Sequence, residues 1–229
     1  MILIKSRSSW VWLLMRARAE VVMKTSEVVE NVVVVDDGSV DGTFNVASLD
    51  GTIPVIKHPY NIGVGATIRI GITHALKTKP DIVVMLDADG QHNPEEIPSL
   101  LEPILKRKSQ LIVGRRDFSE MSLPRRLSNT LTAKILNQTW NVNLADVQCG
   151  FRAVRTDVLR SLKIRENGYP WACEMLINAQ RLGVKMSSVH VETIRGDKSS
   201  VKPLRDTLCF LRMLSRQKGR ENNENTKRV

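Results

Sequence analysis

Two carboxylate-rich turns, each set directly behind a run of apolar residues, constrain this 229-residue chain more than any other feature. Val32-Val33-Val34-Val35 leads into Asp36-Asp37-Gly38-Ser39-Val40-Asp41-Gly42-Thr43, and Ile82-Val83-Val84-Met85-Leu86 leads into Asp87-Ala88-Asp89-Gly90-Gln91. A short apolar run, rich in β-branched residues and bounded by turn residues, reads as a central strand of a parallel sheet covered on both faces. In open α/β sheets, ligands occupy the crevice at the carboxyl ends of the strands. Carboxylates gathered on one such edge repel each other unless a cation joins them. Asp-x-Asp with a nearby amide oxygen offers hard ligands to Mg²⁺ or Mn²⁺, and such an ion would carry a diphosphate.

The remaining pattern alternates helix and strand. Residues 19–30 read as a helix with Val21, Val22, Val28 and Val29 on one side, and a short helix is expected after the first acidic turn. Val55-Ile56 is a second, weaker strand. Asn61-Ile62-Gly63-Val64-Gly65 then opens a helix with Ile68, Ile72, Ala75 and Leu76 at helical spacing. Asn93, Pro94 and Glu96 give the cap, first-turn proline and capping-box spacing of a helix whose buried stripe is Ile97, Leu100, Leu101, Ile104 and Leu105. Leu111-Ile112-Val113 is a strand that delivers Arg115-Arg116 to its carboxyl end.

Further on, 124–140 suggests a helix with Leu127, Leu131 and Ile135 on one face, 146–155 is irregular, 170–182 is helical and 189–194 is a last strand. Residues 203–216 form a basic amphipathic helix with Leu204, Leu208, Leu211 and Leu214, and the polar end, 217–229, reads as disordered. The expected fold class is α/β, a Rossmann-like, mostly parallel sheet flanked by helices with an irregular second half. One domain, 19–202, divides into a nucleotide and metal half (19–110) and an acceptor half (111–202). Residues 1–18 form an atypical N-terminal segment whose apolar piece could make the edge of the sheet.

The net charge of +10 points to acidic partners: nucleic acid, an anionic membrane surface or phosphorylated substrates. With 4% aromatic residues and no recognisable module, nucleic acid is set aside. Cys149, Cys173 and Cys209 are odd in number and widely spaced, which suits reduced thiols in the cytoplasm. No apolar run approaches the roughly 20 residues that span a bilayer.

The two acidic motifs together closely resemble those of family 2 glycosyltransferases of the GT-A fold. Asp87-Ala88-Asp89-Gly90-Gln91-His92-Asn93-Pro94-Glu95-Glu96-Ile97-Pro98 is similar to the metal motif of the dolichyl-phosphate mannosyltransferase and polyprenyl-phosphate glycosyltransferase branch. Asp146-Val147-Gln148-Cys149-Gly150-Phe151-Arg152 and Arg195-Gly196-Asp197-Lys198-Ser199 resemble two further segments of that branch. The resemblance implies a nucleotide site of Asp36, Asp37, Gly38, Ser39, Asn61, Gly65, Asp87 and Ala88. It implies Mg²⁺ or Mn²⁺ on Asp87, Asp89 and Gln91, with Asp89, Asp146 and Arg152 as catalytic residues. Arg115, Arg152, Arg195 and Lys198 would hold an acceptor phosphate.

The implied activity is inverting transfer of a hexose from a nucleotide-diphosphate sugar, GDP-mannose or a UDP-sugar, to a polyprenyl (dolichyl-type) phosphate. The implied setting is the cytoplasmic face of a membrane, with the enzyme bound peripherally. A phosphate acceptor needs no strong base, whereas a hydroxyl acceptor would, and Asp146 is the candidate. The family's opening Asn-Glu motif is absent from residues 10–20. A catalytically impaired relative, or a sugar-nucleotide-binding module, is therefore the alternative.

Overall fold

The computed structural model describes residues 9–14, 19–29, 31–38, 53–87, 89–194 and 203–226. Among these, seven strands form one sheet in the order β3-β2-β1-β4-β6-β5-β7. They are β1 (Ser9–Leu14), β2 (Asn31–Asp36), β3 (Val55–Lys57), β4 (Ile82–Asp87), β5 (Leu111–Arg115), β6 (Arg152–Arg155) and β7 (Met186–His190). Neighbouring strands are parallel except β6, which runs antiparallel to both β4 and β5. Val33, Val34 and Val35 of β2 and Val83 to Leu86 of β4 are fully buried, as all-apolar central strands require. Each such side chain contributes about 1.5–3 kcal/mol on burial.

The N-terminal apolar piece is not an edge strand. β1 lies between β2 and β4, with Leu14 level with Val35 on one side and with Asp87 on the other. This register brings Asp36 and Asp87 out on the same edge, two strand spacings or about 10 Å apart. Residues 15–18, which follow β1, and the short helix expected after the first acidic turn lie outside the described residues.

The helices flank this sheet: α1 (Ala19–Val28), α2 (Val64–Thr78), α3 (Ile97–Leu105), α4 (Leu123–Trp140), α5 (Thr156–Ser161), α6 (Trp171–Arg181) and α7 (Pro203–Thr226). Asn93 caps as expected, accepting from the Glu95 amide at the 3₁₀ turn that leads into α3. Glu96 does not close the capping box; its carboxylate accepts from the Glu192 amide instead. α3 buries Ile97, Leu100, Leu101 and Ile104, leaving Leu105 outside.

Three expectations need correction. The segment 152–155, read as irregular, is strand β6: Arg152 and Arg155 hide a strand whose middle, Ala153-Val154, is fully buried. α4 is turned over relative to its leucine pattern. It buries Asn129, Thr132, Ala133, Leu136 and Trp140, while Leu127 and Leu131 are 62% and 60% exposed. The third concerns the C-terminus, where α7 does not stop at 216 but runs to Thr226. Polar composition suggested disorder, yet Gln217 is buried there and receives Arg181, which holds the helix against α6.

Candidate active site

Each acidic turn is shaped by where its strand ends. Asp37, just past β2, is buried, and its two oxygens accept from the amides of Ile62 (2.8 Å) and Gly63 (3.0 Å). His58 Nδ1 lies 3.2 Å from the same carboxylate. Gly38 has φ +72°, and a Cβ there would lie 2.5 Å from the Tyr60 backbone, so only glycine lets the 58–63 loop come this close. Asp36 is buried at the end of β2, and Asn61 is exposed on the loop. Gly65 is not open to a nucleotide. A Cβ on it would meet the Glu166 carbonyl at 2.1 Å, so this glycine serves helix packing.

Asp87 is the last residue of β4. Beside it the antiparallel strand β6 begins, and Gly150 lies so close that an added Cβ would stand 2.4 Å from Asp87 Oδ2. Asp89 turns back through its Oδ1, which accepts from the Gln91 amide at 2.9 Å. With Gly90 at φ +84°, residues 89–91 form a tight turn, not an extended segment that would aim its side chains one way. Gln91 Oε1 faces Arg125, 3.4 Å from both terminal guanidinium nitrogens, so its expected place as a metal ligand is taken by that contact. The donor set reduces to Asp87 and Asp89. It fits an ion that takes one or two carboxylates and draws its other ligands from water and substrate phosphates.

The electrostatics agree with that fit. Burial and the neighbouring Asp89 carboxylate raise Asp87 from its ordinary 3.8 to about 6, against the pull of Arg116, Arg152 and Arg125. The fold therefore holds this proton more tightly than the unfolded chain does. In the absence of metal, this carboxyl favours the fold most below about pH 4. Its contribution then falls by roughly 3 kcal/mol as pH rises to about 6. Urea midpoints taken across this window in EDTA should show the decline, and Mn²⁺ should offset it above about pH 6. Substituting Gly150→Ala should displace the Asp87 carboxylate and weaken Mn²⁺ binding at least about tenfold, as read by calorimetric titration.

Asp146 and Arg152 both belong to the scaffold of the site. Asp146 is fully buried, and Arg116 grips it through Nε (2.8 Å) and Nη2 (3.1 Å). Its Oδ1 also accepts from the amides of Gln148 and Cys149. A carboxylate this fully engaged is an organiser of the 146–149 loop, which speaks against the role as a base that a hydroxyl acceptor would ask of it. Arg152 is equally buried and donates to the carbonyls of Cys149, Val147 and Ala172, with its guanidinium 5.1 Å from the Trp171 ring centre. It has no path to an acceptor phosphate.

His92 completes this floor, stacked on Phe151 and kept neutral by burial, which lowers its pKa to about 3. Arg115 ends β5 exposed on the same edge. Ser39, Ala88, Arg195 and Lys198 lie outside the described residues. The residue that the sequence did not single out is Arg125, which the first turn of α4 sets against Gln91. Nothing in its local sequence distinguishes it from the exposed Arg126.

The model of the family described as Glycosyl transferase family 2 matches residues 19–163. The chain belongs to glycosyltransferase family 2. This glycosyltransferase is 30% identical over 173 residues to the undecaprenyl-phosphate mannosyltransferase of Micrococcus luteus, covering 70% of each chain. It is 29% identical over 188 residues to the UDP-N-acetylglucosamine–dolichyl-phosphate N-acetylglucosaminyltransferase of Methanococcus voltae, covering 72% of this chain and 75% of that one.

Among solved structures, the glycosyltransferase resembles glucosyl-3-phosphoglycerate synthase from Mycobacterium tuberculosis, crystallised with Mn²⁺, UDP-glucose and phosphoglyceric acid. The TM-score is 0.71 at 22% identity, covering 93% of this chain and 81% of that one. This shows the GT-A fold. Among the described residues, no helix of the glycosyltransferase is long and apolar enough to cross a membrane.

Proposed function

We propose that this glycosyltransferase moves a hexose from a nucleotide-diphosphate sugar to a polyprenyl phosphate, inverting the anomeric centre. The observation that carries the acceptor class is the state of Asp146. Asp87 and Asp89 suit a metal, Asp37 holds backbone amides, and Asp146 is saturated by Arg116 and its own loop. None of these is placed as a base for a sugar hydroxyl. A phosphomonoester, with a second pKa near ~6, is already largely ionised at neutral pH and needs none.

Divalent metal on Asp87 and Asp89, when bound, supplies positive charge to the departing diphosphate. Arg125, with its guanidinium at Gln91, takes the acceptor-phosphate role expected of Arg152. A planar guanidinium can match two phosphate oxygens and place one of them in line behind the anomeric carbon. The arginine pair Arg116 and Arg152 fixes the floor on which this alignment rests.

A lipid acceptor also suits the outer surface of α4. Leu123, Leu127 and Leu131 are 67%, 62% and 60% exposed, one turn apart, on the helix that carries Arg125. Leu208 and Leu211 of α7 are likewise exposed. Leucines beside arginines suit a peripheral seat at an anionic bilayer. The deciding experiment gives the enzyme Mn²⁺, radiolabelled GDP-mannose, UDP-glucose or UDP-N-acetylglucosamine, and either polyprenyl phosphate in detergent or 3-phosphoglycerate. Label in the organic phase, on a glycosyl phosphate of inverted configuration, is the expected result. Label on the soluble phosphate alone would reject the lipid acceptor.

A further inference from the structure

The C-terminal helix, far along the chain from the acidic turns, is wired to one of them through a buried carboxylate. Glu174, in the first turn of α6, is fully buried, and its two oxygens serve two different segments. Oε2 accepts from the amides of Arg165 (2.7 Å) and Glu166 (2.8 Å). Oε1 accepts from Gln217 Nε2 (3.1 Å) and Arg220 Nη1 (3.5 Å) of α7. Arg216 of α7 reaches the Glu166 carboxylate at 3.1 Å. The same turn is also the seat of the glycine loop. Gly65 N donates to Asn167 O at 2.7 Å, and Arg69 donates to Glu166 O and Asn167 Oδ1. A Cβ on Gly63 would stand 2.5 Å from Asn167 O. From Gly63 and Ile62 the next contact is Asp37 itself.

We propose that Glu174 is a positioning residue for the donor-side loop, transmitting the seat of α7 through the 165–167 turn to residues 61–65 and Asp37. The placement of donor at that loop rests on the function proposed above; the linkage itself rests only on these contacts. Every step is a direct hydrogen bond or a backbone contact too close for a side chain, so the segments cannot shift independently. An apolar residue in place of Glu174 could fill the space, but it would take the Glu174 acceptor from two amides and from the Nε2 of buried Gln217. The carboxylate therefore fixes the geometry of both segments at once, and losing its α7 partner loosens its hold on the other.

The test uses the full chain carrying Gln217→Met and, separately, Glu174→Gln. Hydrogen exchange is read segment by segment. In Gln217→Met, amides of 61–67 should exchange about fivefold faster while those of 82–87 and 111–115 keep their protection. Donor KM should rise by a similar factor with kcat within about twofold. Glu174→Gln, which keeps one acceptor oxygen, should show a smaller effect of the same pattern. Faster exchange confined to 203–226 would overturn the linkage, leaving Glu174 as a mere anchor of α7. A uniform rise across the sheet would overturn it too, making Glu174 a general contributor to stability. If the wild type binds no nucleotide sugar, the proposed function fails, and the exchange pattern still decides the linkage.

Discussion

Asp89→Ala is expected to lower sugar transfer by at least about 10²–10³-fold while leaving the fold as stable as before, or slightly more so. The two halves of this result have one cause. Asp89 makes a turn contact with the Gln91 amide and acts on Arg125 through its charge, and that charge is one of the reasons Asp87 holds its proton up to about pH 6. Removing it relieves a repulsion in the metal-free protein and deletes half of the proposed metal donor set. An interaction aimed at charge that develops as the diphosphate departs is worth several kcal/mol of barrier. Transfer assays across a Mn²⁺ titration, beside urea denaturation in EDTA, measure both halves. Unchanged turnover in the variant would remove the metal from Asp89.

Asp146→Ala should behave in the opposite way, costing stability first. It strips the Arg116 guanidinium, 9% exposed, of its hydrogen-bonded carboxylate, and it frees the amides of Gln148 and Cys149. Breaking one partner out of a buried ion pair costs about 3–5 kcal/mol. A second change, Arg116→Met, should recover part of the loss, because the unpaired charge goes with it. Denaturant midpoints for the two single variants and the double variant complete the cycle. If Asp146→Ala unfolds at the wild-type midpoint but is inactive, Asp146 is a catalytic group after all.

The contrast between these residues explains what the sequence made legible. Runs such as Val32–Val35 and Ile82–Leu86 can only be buried strands, so the parallel half of the sheet and the shared edge of Asp36 and Asp87 could be read directly. Arg152 defeats that reasoning. The resemblance aimed this arginine at an acceptor phosphate, yet three backbone carbonyls and Trp171 satisfy it inside the protein, and those partners come from 147–149 and 171–172. α4 misleads for a related reason. Leu123, Leu127 and Leu131 lie on one face, but Asn129 and Thr132 face the protein, Thr132 receiving the Gln148 side chain, so that apolar face is left for another environment. Gln217 was lost in a polar tail because its partners, Glu174 and Arg181, lie some forty positions away.

Strand β6 has a wider consequence because it runs against its neighbours. In an all-parallel sheet, the segment after each strand reaches the working rim; here the segment before β6 does, which is why Gly150 meets Asp87. Changes within residues 141–149 thus act beside Asp87, while additions after Arg155 land at the opposite end of the sheet, beside Ile82. The architecture thus couples the segment that enters β6 to Asp87 and keeps the segment that leaves it away from that rim.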